Sequence, residues 1–416
     1  MRTMKDSGIA WIGEIPDDWR IIRNKNAFTC SKELVGEKSE LTQLLSLTTR
    51  GIKKKDINNA EGKLPESFDT YQFVKENDLV MCLFDLDCSA VFSGISPYNG
   101  MISPAYRVLS CKKCMEPKYA DYWFQYISDG RKFNHYAKNI RYTLSYEEFS
   151  ALPLLLPERN EQRRIADYLN RKCSQIDATI ARQQKVIEKL KAYKLSVITE
   201  AVTKGLNPDV PMKDSGVEWI GEIPEHWEVM RFGRCAAIKS NLVAPDDYAD
   251  YPQISPDSIE KNSGRILEYK TVKESGVISW NHLFFKGQII YSKIRPMLNK
   301  VAIAPFDGLC SADMYPIETN NNTQFLVYMM LSDYFTSQVG LVTENRVKMP
   351  KINQNELGAI MVTIPPQIEQ ETISKYLLEK CSSVDAVIDK KQGLIDKLDD
   401  YKKSLIYEVV TGKKEV

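Results

Sequence analysis

The stretch MKDSGIAWIGEIPDDW, from Met4 to Trp19, returns as MKDSGVEWIGEIPEHW from Met212 to Trp227, a constant offset of 208 residues. Two tryptophans, a Gly-Glu-Ile-Pro core and an Asp-Ser-Gly turn all keep register, so coincidence is excluded. A second matched pair lies further along: PERNEQRRIADYLNRKCSQIDATI from Pro157 and PPQIEQETISKYLLEKCSSVDAVI from Pro365. Glu161-Gln162 maps onto Glu369-Gln370, Lys172-Cys173 onto Lys380-Cys381, Asp177 onto Asp385, and Tyr193-Lys194 onto Tyr401-Lys402. Between these matched ends, residues 24–140 and 232–348 share little beyond length and a faint Ser103/Ser311 echo. A period of half the chain is too long for a solenoid and reads as duplication of a whole domain pair. The plan is a shared arm, a variable block and a shared helix, stated twice.

The shared helices are legible from their spacing. Apolar positions Ile165, Leu169, Cys173, Ile176, Ile180, Ile187 and Leu190 recur at threes, fours and sevens, and the second copy places Ile373, Leu377, Cys381, Val384, Ile388, Ile395 and Leu398 at the same offsets. That spacing predicts amphipathic helices with a coiled-coil seam. No proline interrupts either stretch, and Gly205 terminates the first. Both seams need cover, and packing them on each other, antiparallel, is the economical solution. The variable blocks read as mixed. NDLVMCLFDL, AYRVLSC, HLFFKGQIIYSKI and KVAIAPF predict strands, and YADYWFQYIS and TQFLVYMMLSDYFTSQV predict helices. The expected class is α/β in the mixed α+β sense, in four segments. These are 1–156 (arm and first block), 157–207 (first long helix), 208–364 (repeated arm and second block) and 365–416 (second long helix).

Composition narrows the function little. A formal net charge of +1 over 416 residues neither announces nor excludes a nucleic-acid partner, because charge can be segregated by face. The opening residues MRTMKDSG carry no apolar run of a secretory signal, and the longest apolar stretches, such as Phe325 to Leu331, are too short to span a bilayer. No membrane partner is expected. Nine scattered cysteines suit reduced thiols in a cytoplasmic protein.

Catalytic signals are weak. Pro256-Asp257 followed by Glu268-Tyr269-Lys270 has the order of metal-dependent nuclease residues, but the pattern is short, common and absent from the first half. Cys111-Lys-Lys-Cys114 lacks a second pair at zinc spacing; Cys82 and Cys88 are too irregular. His135, His226 and His282 have no nucleophile or carboxylate partner in a defensible pattern, and no glycine-rich loop follows a strand. No catalytic residue and no metal ligand is assigned. The four tryptophans of the arms are expected to lock the arm onto its own domain.

Binding is the stronger reading. Residues 131–142 hold Arg131, Lys132, Lys138 and Arg141 with His135, Asn134, Asn139, Phe133, Tyr136 and Tyr142, and no acid. That mixture suits phosphate contacts with base-edge readers interleaved. The positional equivalent in the second half carries Asn345, Arg346, Lys348 and Lys351. Ser292, Lys293 and Arg295 with Asn299 and Lys300 form another basic stretch, and Lys53 and Lys54 belong to a further one.

The Gly-Glu-Ile-Pro-x-x-Trp arm and the Pro-x-x-x-Glu-Gln-x-x-Ile helix opening, both recurring around two divergent blocks, resemble the specificity subunit of type I restriction-modification enzymes. The resemblance spans essentially the whole chain. It implies that each variable block is a target-recognition domain reading one half of a bipartite sequence in double-stranded DNA. It implies two such domains separated by two long antiparallel helices that set the spacing and dock two modification subunits, with restriction subunits as further partners. Methyl transfer to adenine and ATP-dependent cleavage would belong to those partners, which would hold S-adenosylmethionine, ATP and Mg²⁺; none is expected on this chain. One departure is informative: the first block is acidic at Asp85 and Asp87 where the second has Lys293 and Arg295, so the two blocks are expected to read DNA differently. The competing readings are a coiled-coil adaptor without nucleic acid, and a self-sufficient nuclease using Asp257, Glu268 and Lys270.

Overall fold

The computed structural model describes the chain except residues 1, 49–50, 57–64, 66, 87–92, 138–141, 345 and 347–348. Two compact units form, residues 1–183 with 393–416 and residues 184–392. The division passes through both long helices, so each unit holds one arm, one variable block and part of each helix.

The helices run Arg159–Lys204 and Gln367–Val410, 46 and 44 residues, or roughly 65–70 Å each at 1.5 Å per residue. Their apolar stripes are covered within each unit. In the first, Ile165, Leu169, Cys173 and Ile176 share a core with Leu405, Ile406, Val409 and Val410, with Ile180 and Leu398 packed at its edge. In the second, Ile198, Ala201 and Val202 share a core with Ile373, Leu377 and Cys381. Ile187, Val384 and Ile395 are also buried, and Leu190 and Ile388 are half-buried. The repeated aspartate and lysine pair crosswise. Asp177 meets Lys402 at 2.7 Å in the first unit, and Lys194 meets Asp385 at 2.8 Å in the second. Within each unit the start of one helix therefore lies against the end of the other.

The variable blocks look unrelated in sequence yet build the same sheet. In the first unit Phe28–Ser31, Arg107–Cys111, Leu79–Met81 and Ser93–Ile95 lie side by side in that order, each pair antiparallel. In the second, Ala236–Ile238, Met314–Thr319, Ile289–Ser292 and Val301–Ile303 repeat the order and direction. The predicted strand segments therefore fall where strands form. Leu79–Met81 and Ile289–Ser292 are buried along their whole length, which is why they read as continuous apolar runs rather than alternating ones. A helix follows the sheet in each unit, Pro117–Asp129 in the first. The second segment, expected as one helix, is two, Thr323–Leu331 and Asp333–Thr343. Ser332 lies between them with ψ 154°, an extended residue that ends one helix and stands as the N-cap position of the next. The units also differ. The second carries a five-stranded sheet with one parallel pair, Pro252–Ile254 beside Gly308–Cys310, whereas the first has a hairpin of Leu45–Thr48 and Gly51–Lys54.

Candidate nucleic-acid interface

The repeated sequence builds a mount, and the two mounts share their strand pairing and register. Met4–Asp6 pairs antiparallel with Glu14–Pro16, and Met212–Asp214 with Glu222–Pro224, in the same register. The Asp-Ser-Gly turn closes each hairpin. Asp6 and Asp214 accept from the backbone N–H of Gly8 and Gly216 at 2.9 Å, and both glycines have positive φ, a conformation a side chain would disfavour. Strand Arg20–Arg23 then pairs with Pro153–Leu156, as Glu228–Arg231 does with Met361–Ile364.

The second tryptophan of each arm is the latch. Trp19 Nε1 donates to Glu161 at 3.0 Å and Trp227 Nε1 donates to Glu369 at 3.1 Å, so the arm is tied to the first turn of the long helix. The neighbouring glutamine ties that turn to the block. Gln162 accepts from the N–H of Glu116 at 2.8 Å and donates to Cys114 and Pro157 carbonyls. Gln370 accepts from the N–H of Asn322 at 2.9 Å and donates to Asn321 and the Pro365 carbonyl. Trp19 and Trp227 are buried, and Trp11 packs on Trp123 and Tyr126. Trp219 departs from the expectation for the arms, being 45% exposed. The mounts are not identical in charge. Glu161 also holds Arg2, whereas Glu369 holds His226 at 2.8 Å, at the position of Asp18.

The predicted contact residues scatter over the first unit. Lys53 and Lys54 are exposed on the hairpin strand, with Lys54 Nζ 4.8 Å from the ring centre of Tyr98. Arg131 and His135 are exposed, and Tyr142 is 37% exposed. Lys132 lies over the rings of Tyr126 and Trp11, at 4.3 and 6.0 Å, and burial pulls its pKa down. Lys138, Asn139 and Arg141, with Asp87, lie outside the described residues.

In the second unit two of the predicted stretches come together. The N–H of Arg295 donates to Pro350 at 2.8 Å, the N–H of Ile352 donates to Lys293 at 3.0 Å, and Ile294 bridges Lys351. Most of the polar side chains here are committed. Ser292 and Asn299 are buried, the first bonded to the Ile294 carbonyl and the second to Met330 and Thr336, so their work is internal. Lys300 reaches Asp257 and the Pro256 carbonyl, Lys351 reaches Asp313 at 2.9 Å, and Lys293 lies over Tyr315. Arg346 pairs with Glu356. The guanidinium of Arg295 is exposed and makes no side-chain bond among the described residues. Asn345 and Lys348 lie outside the described residues. A cleft of about 450 Å³ opens beside this cluster, lined by Ser240, His282, Lys293, Gln354 and Asn355.

The nuclease-like residues have ordinary surroundings. The Asp257 side chain is fully exposed and paired with Lys300, and Lys270 lies in a two-residue strand paired with Pro252–Ile254. Burial pushes the Cys111 thiol up to about 12, the wrong direction for a reactive thiolate or a ready zinc ligand. No helix is long and apolar enough to cross a membrane among the described residues.

Fold and mount define an internally duplicated chain in which one scaffold carries two structurally alike but chemically different surfaces. The sequence profile of the "Type I restriction modification DNA specificity domain" matches residues 224–399. The specificity subunit of the EcoDI type I restriction enzyme of Escherichia coli is 34% identical over 64% of this chain and 63% of its own length. A putative type I restriction enzyme specificity subunit, MjaX of Methanocaldococcus jannaschii, is 24% identical over 97% of this chain and 95% of its own. A solved chain from work on complex assembly and conformational transition of the type I R-M system shares the fold, with TM-score 0.67 over 96% of this chain and 99% of that one, at 12% identity. The chain is thus similar to type I restriction-modification specificity subunits, in sequence over residues 224–399 and in fold over nearly its whole length.

Proposed function

We propose that this chain supplies the DNA sequence specificity of a type I restriction-modification complex and performs no catalysis itself. The observation that carries the reading is the pairing of constancy with divergence. The arm hairpin, the tryptophan–glutamate latch and the long helix recur in both halves, while the two blocks keep one sheet topology under unrelated sequences. A protein that only joined partners would have no use for two alike folds with different surfaces; a reader of two-part DNA does. Each block reads one half-site, and the helices set the spacer. The duplication gives an approximate two-fold repeat on which two identical modification subunits dock. S-adenosylmethionine, ATP and Mg²⁺ act on the partner subunits, and the complex works in the cytoplasm on double-stranded DNA.

The test is selection of duplexes from a random pool by the chain assembled with its modification subunits, at near-physiological salt. Enrichment of two short sequences at a fixed separation supports the reading. Binding that is equal for all sequences, or absent, leaves the coiled-coil adaptor.

A further inference from the structure

The two units place one residue at the same unusual corner. Asp85 lies six positions beyond Leu79, the first residue of its core strand, and Arg295 lies six beyond Ile289 in the matching strand. Both adopt positive φ, 48° and 45°. The segment facing each corner also matches. Leu144 N–H donates to Leu83 at 2.8 Å, and Ile352 N–H donates to Lys293 at 3.0 Å. Each facing segment contains its own left-handed residue, Tyr142 at 45° and Met349 at 47°, and each enters a short helix through a complete capping box, Ser145 with Glu148 and Asn353 with Glu356. Non-glycine residues rarely hold positive φ, and a fold keeps such strain where it serves a purpose. Here the conformation is kept twice while the residue changes from acid to base.

At Arg295 the backbone is pinned on both sides. Its N–H donates to Pro350 and its carbonyl accepts from Leu298, each at 2.8 Å. The side chain is exposed, whereas its basic neighbours Lys293, Lys300, Arg346 and Lys351 are engaged by Asp313 and Tyr315, Asp257, Glu356 and Asp313. A fixed Cα with an uncommitted guanidinium is the arrangement that directional recognition needs. The guanidinium fork matches O6 and N7 of guanine in the major groove. Asp85 at the same corner argues that the corner faces bases. A carboxylate beside phosphates is repelled, but a carboxylate at a base edge accepts from the amino group of cytosine.

Resting on the specificity-subunit reading, we propose that this corner is the base-reading position of both units. Arg295 reads a guanine in the half-site of the second unit, and Asp85 reads a cytosine in that of the first.

The experiment uses the full chain with its modification subunits in cells, and maps modified sites genome-wide for the parent, Arg295→Gln, Arg295→Lys and Asp85→Asn. The parent map tests the specificity-subunit reading alone, because a parent without a two-part site fails that reading whatever the variants do. Given such a site, Arg295→Gln should lose discrimination for guanine at one position of one half-site, on the order of ten- to a hundredfold, leaving the other half unchanged. Arg295→Lys, which keeps charge without the fork, should do the same. Asp85→Asn should relax a cytosine in the opposite half-site. Uniform weakening over all sequences, with the salt slope smaller by about one, would make Arg295 a phosphate contact and overturn the proposal. Unchanged site maps would overturn it equally. Because the Arg295 side chain is exposed and unbonded among the described residues, its variants should keep the parent's circular dichroism; a variant that unfolds would itself contradict the free side chain on which the proposal stands.

Discussion

Replacing Asp385 and Asp177 in turn by alanine tests whether the crosswise pairs are equivalent in energy as they are in sequence. The contacts have nearly the same length, 2.8 Å for Lys194–Asp385 and 2.7 Å for Lys402–Asp177. Their surroundings differ. The Lys194 side chain is 9% exposed, against 26% for Lys402, and Asp385 is 19% exposed, against 55% for Asp177. Asp385→Ala strands a buried ammonium and also takes a partner from Arg265, 4.0 Å away. Breaking a buried pair by removing one member costs about 3 kcal/mol or more. Asp177→Ala leaves Lys402 with access to water, and exposed pairs contribute about 0–1 kcal/mol. The assay is hydrogen exchange read by mass spectrometry on peptides from the second half of the Arg159–Lys204 helix and the first half of the Gln367–Val410 helix. There Asp385→Ala should raise the opening constant roughly a hundredfold, from tenfold per 1.4 kcal/mol. Asp177→Ala should change the remaining halves by less than about fivefold. The double variant Lys194→Met, Asp385→Leu should recover most of the loss, since an apolar pair removes the stranded charge. Equal losses at the two sites would refute the reasoning from burial.

Three further outcomes follow from the same structure. Burial pushes the Asp121 carboxyl up to about 6, although Gln125 donates to it at 3.0 Å. Its folded pKa exceeds the unfolded one, so its contribution to first-unit stability should grow as pH falls from above 6 towards 4, and Asp121→Asn should remove that part of the pH dependence in urea melts. Matched one-heptad insertions near Ile187 and Ile395 add roughly 10 Å and should lengthen the preferred spacer by about three base pairs in modified sites; an unchanged spacer in a protein that still methylates would show that the helices are not the ruler. The purified chain with Mg²⁺ and ATP, or with S-adenosylmethionine, should turn over nothing; cleavage abolished by Asp257→Ala would revive the nuclease reading.

The repeat was fully legible because both of its ends are under the same constraint. Trp19 must meet Glu161 as Trp227 meets Glu369, so neither arm nor helix opening can drift alone. The helical seam was legible for the usual reason, a period of three and four with no breaker. The shared sheet inside the blocks was not legible. A buried strand asks only for apolar residues, and Leu79–Met81 and Ile289–Ser292 meet that demand with different sequences. The split at Ser332 was hidden because a serine inside an apolar run gives no sign of taking an extended ψ. Basic residues were easy to collect and hard to rank. Ser292 and Asn299 read as surface polar groups in the sequence but are spent on buried hydrogen bonds, while Arg295 beside them is exposed. The sequence set Asp85 and Asp87 against Lys293 and Arg295; that Asp85 shares its backbone corner with Arg295 needed coordinates.

Exchanging one block while keeping both mounts tests the division of labour most directly. Residues 232–360 would be replaced by the corresponding block of a specificity subunit of known target, leaving Glu369, Gln370, both arms and both long helices untouched. Modified sites would be mapped with the partner subunits present. The account predicts that one half-site changes to that of the donor while the other half-site and the spacer stay as they were. A hybrid that folds and methylates but changes both half-sites, or neither, would contradict it.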